Sequence, residues 1–71
     1  MNMEYGKWIK YDPSMEIEDG ERVLIVKDGY GKWFELAVYN KRYECFDDSE
    51  GDDYFCDLTD VEKIFIIPKI D

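Results

Sequence analysis

Seventy-one residues make one small domain, 1–71, and a chain of this size buries only about 60% of its unfolded surface. With 45% hydrophobic and 17% aromatic residues, it is too apolar to be a disordered acidic tail. A net charge of −9 argues against direct contact with nucleic-acid phosphates or an anionic membrane surface, since both require clustered Lys and Arg.

The opening MNMEYGKWIK holds no apolar run of signal-peptide length, and the longest apolar runs, VLIV and IFII, are far too short to span a bilayer. The expectation is a cytoplasmic protein whose two cysteines stay reduced.

In chain order, Trp8–Tyr11 predicts a short strand, and Asp12-Pro13-Ser14 predicts a turn. Residues 15–21 predict a loop closing on Asp19-Gly20. Arg22–Lys27 predicts the clearest strand, four branched aliphatics between two charges, expected to be central and covered on both faces. Asp28-Gly29-Tyr30-Gly31 predicts a hairpin turn. In the next predicted strand, Lys32–Tyr39, Phe34, Leu36 and Val38 share one face, and Trp33, Glu35, Ala37 and Tyr39 the other. Asn40-Lys41 predicts a second tight turn, and Arg42–Phe46 a third strand returning antiparallel. An acidic loop at 47–53 precedes a resumed strand at Tyr54-Phe55-Cys56. Thr59 is placed to cap a helical turn over 59–62. Ile64–Ile67 predicts the last strand, stopped by Pro68. The fold expected is a mostly β domain of four to five antiparallel strands, strongly curled or barrel-like, with at most one short helical turn.

The distribution of charge says more than its total. Residues 43–62 hold nine acids and no base, while the rest of the chain holds nine of each sign and balances. One twenty-residue window therefore carries the whole imbalance, and a basic protein is its natural complement.

Several chemistries fit this window poorly. The calcium loop of an EF-hand needs D-x-[DN]-x-[DN]-G and a Glu at its twelfth position. Counted from Asp47, Gly51 comes one place early and Leu58 stands twelfth; counted from Asp48, Asp53 stands where Gly is needed. Transition-metal sites and Cys-His or Ser-His nucleophiles lack their His, because the chain has none. Neither a catalytic residue, a metal ligand nor a cofactor site is expected. Cys45 and Cys56 are expected as two free, buried or half-buried thiols flanking a hairpin, with a bridge as the alternative if their Cα atoms approach within disulfide range.

The order Trp8-Ile9, Asp12-Pro13, Asp19-Gly20-Glu21-Arg22-Val23-Leu24-Ile25, then an aromatic strand, then Val61-x-x-x-Phe65-Ile66-Ile67-Pro68 resembles domain-of-unknown-function family 551, a family of phages and prophages. The resemblance covers about residues 8–68. It departs at Lys63 and Ile64, where the family has His-Trp, at Ile66, where it has Pro, and at Ser14 or Met15, where it has Leu-Pro. It implies a phage or mobile-element setting and a β fold, and brings no catalytic residue with it.

Two functions follow as expectations. In the first, a phage-type, anti-CRISPR-like inhibitor sets carboxylates where nucleic-acid phosphates would lie and occupies the basic groove of a host defence protein. Its contact residues would be Glu44, Asp47, Asp48, Glu50, Asp52, Asp53, Asp57 and Asp60, with Tyr43, Phe46, Tyr54 and Phe55 as aromatic anchors. In the second, the protein is a structural or accessory module, a homo-oligomer using its strand edges and aromatics such as Trp8 and Trp33, and the acidic loop serves solubility alone.

Overall fold

The structure, a computed structural model, describes residues 4–29 and 33–68. Six strands form one antiparallel sheet: β1 Trp8–Lys10, β2 Arg22–Lys27, β3 Glu35–Asn40, β4 Cys45–Asp47, β5 Tyr54–Asp57 and β6 Val61–Ile66. They lie side by side as β1-β6-β2-β3-β4-β5. The mostly β domain expected from the pattern is present, with six strands rather than four or five. The sheet stays open, and β1 and β5 form its two edges. The sole helical element among the described residues is a 3₁₀ turn, Leu58–Asp60, so none is long and apolar enough to cross a membrane.

Local chemistry explains most boundaries. Asp12 Oδ1 accepts the Ser14 N–H at 2.8 Å and the Asp12 carbonyl accepts the Met15 N–H at 2.9 Å, which makes the turn predicted there. The β3–β4 connection is longer than the predicted two-residue turn. Residues 41–44 form it, so Arg42, Tyr43 and Glu44 leave the expected third strand. Asn40 Oδ1 accepts the Tyr43 N–H at 3.1 Å, and Glu44 sits at φ 50°. Thr59 lies inside the 3₁₀ turn rather than capping it; the residue before the turn is Asp57, whose N–H donates to Asp60 Oδ2 at 3.1 Å. In the predicted β2–β3 turn, Tyr30 and Gly31, like Lys32 after them, lie outside the described residues.

Strand register sorts the side chains onto two faces, because residues directly opposite each other share a face. On the inner face Val23 pairs with Ala37 and Ile66, Ile25 with Ile64, and Phe46 with Tyr39 and Cys56. The 11–21 connection crosses this face. Its Tyr11, Met15 and Ile17 are buried while Glu16 and Glu18 point to solvent. The connection is anchored to β3 by Gly20 N–H to Tyr39 carbonyl, 2.8 Å, and by Tyr39 N–H to Glu21 carbonyl, 2.9 Å. Phe46 is fully buried, with the rings of Tyr11 and Tyr39 each 5.6 Å away.

The Tyr11 hydroxyl is buried without a hydrogen-bond partner among the described residues, and burial pushes its phenol well above the ordinary range. A desolvated, unpaired hydroxyl destabilises. Tyr11→Phe should therefore hold or raise stability, by up to about 1 kcal/mol, in urea unfolding. A clear loss would mean that the hydroxyl has a partner.

On the outer face Trp8, Phe65, Leu24 and Leu36 form one row across β1, β6, β2 and β3. On this face Val26 is buried and Leu24 half-buried, so β2, expected to be covered on both sides, is covered fully on the inner face and in part on the outer. The reason is supply of chain: the one long connection among the described residues covers the inner face.

Candidate functional site

The acidic half of the outer face is built by β3, β4, β5 and their two turns. Alternation along β3 and β4 sets Asn40, Cys45 and Asp47 on this face, and a register shift between Phe46 and Asp47 brings both Tyr54 and Asp57 of β5 onto it: Asn40 pairs with Cys45, Cys45 with Asp57, and Asp47 with Tyr54. The β4–β5 turn folds over it, with Gly51 at φ 78° against the Val38 side chain. An open groove of about 570 Å³ results, with Asp52 and Tyr43 completing its lining.

Three carboxylates of this half are fixed by hydrogen bonds. Asp47 accepts from Asn40 Nδ2 at 3.0 Å through Oδ2 and from the Cys45 thiol at 3.6 Å through Oδ1, so its position is fixed. Asp57 Oδ1 accepts the Tyr54 hydroxyl at 2.9 Å; this bond, then burial, then the negative charge of Asp57, pushes the Tyr54 phenol up to about 12. Asp48 is turned inward on its own loop. Its Oδ1 accepts the N–H groups of Glu50 at 3.1 Å, Gly51 at 2.9 Å and Asp52 at 3.2 Å, and its own N–H donates to the Asp53 carbonyl at 2.8 Å. This is the geometry of a helix N-cap used in a hairpin turn, and it commits Asp48 to structure. Asp48→Ala should destabilise by about 1 kcal/mol and speed amide exchange at Glu50, Gly51 and Asp52, while Asp48→Asn should largely restore both. Unchanged exchange in the Ala variant would show that the turn does not depend on this side chain.

Of the twelve residues singled out in the sequence, five gather on the groove: Tyr43, Asp47, Asp52, Tyr54 and Asp57. Glu44, Glu50, Asp53 and Asp60 are exposed around it. Two aromatic anchors need correction. Phe46 is fully buried in the inner core and offers nothing to a partner. Phe55 packs against the inner core with Lys27 Nζ 5.2 Å from its ring centroid. The β4–β5 register shifts between Phe46 and Asp47, where Phe55 is the residue skipped in the pairing; it turns to the inner core beside Cys56 while Tyr54 faces outward opposite Asp47. Sequence reasoning missed Asn40, whose amide joins the β3–β4 turn to Asp47; an Asn at a hairpin end was the available signal.

The cysteines illustrate the same alternation. Cys56 lies opposite Phe46 on the inner face and Cys45 opposite Asp57 on the outer face, so the sheet lies between two buried, free thiols. Burial pushes Cys56 up to about 11, which leaves it protonated and unreactive near neutrality. Among the described residues no three His, Cys, Asp or Glu side chains converge to hold a metal ion.

The groove can hold cations. Three carboxylates face it without a basic residue in the lining. The rings of Tyr43 and Tyr54, 69% and 61% exposed, stand at its rim; Tyr43 already carries the Arg42 guanidinium 5.4 Å from its centroid, the same kind of stacking that Tyr54 offers to an incoming Lys or Arg head. Fold and groove together describe a small open-sheet domain with an acidic, aromatic-rimmed recess. No known protein-family model, curated protein or solved structure matches the chain.

Proposed function

We propose that this is a small non-enzymatic binding protein that receives Lys and Arg side chains of a basic protein partner in the groove between the β3–β4 and β4–β5 turns. The observation that carries the proposal is the convergence of Asp47, Asp52 and Asp57 with Tyr43 and Tyr54 on one recess without a base. Asp47 and Asp57 are already oriented by hydrogen bonds, so little ordering is needed when a cation arrives. The exposed acids around the groove extend the negative field and speed encounter with a positive surface.

The partner we propose is a nucleic-acid-binding protein, specifically a host defence complex blocked by a phage-type, anti-CRISPR-like inhibitor in the bacterial cytoplasm. Carboxylates on a rigid sheet would take the places of phosphates. Supporting this are the small size and the charge confined to one window. A displacement assay tests it: the protein is titrated into a basic nuclease complex loaded with labelled nucleic acid. Loss of the label from the complex is expected, more readily at low salt than at high. If label stays bound at saturating protein, across complexes from the bacterial host, the mimicry reading is wrong.

A further inference from the structure

The outer face carries a second feature outside the groove. The rings of Trp8, on β1, and Phe34, in the segment that leads into β3, lie 5.9 Å apart, although β6 and β2 separate β1 from β3. Both side chains therefore lean across the sheet toward each other. Trp8 also meets Phe65 at 5.5 Å. The result is an aromatic ridge over the middle of the face, yet Trp8 remains 42% and Phe34 58% exposed. In a domain this small, that is much aromatic surface left in water.

The ridge is flanked by cations. Lys10 and Lys63 sit directly opposite each other on β1 and β6, one pleat from Trp8 and Phe65 on the same face. Both are exposed, and neither is paired with a carboxylate among the described residues. One face thus presents an aromatic, basic ridge at its β1–β6–β2 half and an acidic groove at its β4–β5 half.

We infer that this face pairs with the same face of a second copy of the chain, each ridge entering the other's groove. Two complementary patches on one surface can always be exchanged by a two-fold axis lying in the interface plane between them. The contact is then isologous and closed, made twice by symmetry. Lys10 and Lys63 of one copy meet the groove carboxylates of the other, and Phe34 and Trp8 leave water against the rims formed by Tyr43 and Tyr54. The pairing covers the face that the 11–21 connection leaves open. Despite the net charge of −9, attraction is local to the face, because screening limits repulsion between the distant acids. The groove is the one assigned above to a basic partner, so partner and second copy compete for it, but the dimer stands on the ridge and needs no partner.

Sedimentation equilibrium of the full chain over a wide concentration range tests this. A monomer–dimer equilibrium is expected, weakened roughly tenfold or more by Phe34→Glu, since two like-charged side chains are placed per interface. Lys10→Glu with Lys63→Glu should be monomeric alone, and so should Asp52→Lys with Asp57→Lys. Mixed one to one, these two variants should form a heterodimer, which also proves that both are folded. A wild-type chain that is monomeric throughout, a dimer indifferent to Phe34→Glu, or a mixture without heterodimer would each overturn the inference. Binding of a basic partner to the Lys10→Glu, Lys63→Glu variant is read separately: its groove is intact, so loss of the dimer with binding retained separates the two proposals.

Discussion

Phe46→Ala should leave the domain without a stable fold at ambient temperature. Phe46 is fully buried and packs edge-on to Tyr11, with Tyr39 tilted against its other side. It also sits where β4 pairs with both neighbours, opposite Tyr39 of β3 and Cys56 of β5. Removing such a ring costs about 3–5 kcal/mol in lost transfer energy and residual cavity. A domain of 71 residues has a total stability of about 4–11 kcal/mol, so the loss is of the same order as the whole. The variant should lose most of its cooperative urea transition, and Phe46→Leu should retain it. A loss under about 1 kcal/mol for the Ala variant would show that the inner core is not organised around this ring.

Reversing the groove charge should abolish capture of a basic partner while leaving the fold intact. Asp52 and Asp57 are exposed, and their replacement by Lys sets cations where the partner's cations would enter. Like charges brought together across an interface cost several kcal/mol, so affinity should fall at least about a hundredfold. Wild-type binding should also weaken steeply between low and high salt, because the groove is open and its field is screened within about 10 Å at 0.1 M salt. Glu16→Lys with Glu18→Lys is the control of equal charge: both are exposed on the 11–21 connection, which crosses the opposite face. Equal losses from both changes would mean that overall charge, not the groove, attracts the partner. Surface plasmon resonance at two salt concentrations decides between these outcomes.

Much of the fold was legible because β structure writes a local signature. RVLIVK announces a central strand by its branched aliphatics, and the β2 bounds agree with it residue for residue. The face assignment of Leu36 and Val38 against Ala37 and Tyr39 follows from a period of two and is preserved in the register. Boundaries shifted where side chains compete with the ladder. Asn40 and Asp48 each accept backbone N–H groups, making a four-residue turn in one case and a tightly closed acidic turn in the other. Composition does not show which Asp a loop will use for itself.

The site was legible as a window and not as a surface. Counting charges located nine acids in residues 43–62 but gave them all the same standing. Register and turn geometry separated them: Asp48 holds the turn, Asp47 is held by Asn40 and Cys45, and Asp52 and Asp57 face the groove. Alternation removed Phe46 from the set of anchors, and the register shift between β4 and β5 removed Phe55.

What the sequence determined by itself was the class of fold and the location of the charge. Both are properties of short segments, set by side-chain branching, turn chemistry and the count of ionised groups. Tertiary structure alone decided that β6 inserts between β1 and β2, that the 11–21 connection covers only the inner face, and that Trp8 of β1 meets Phe34 at the entry to β3. These depend on which distant segments pair. Pairing is settled by burying apolar surface across the whole sheet, a sum over the domain that no single stretch of residues contains.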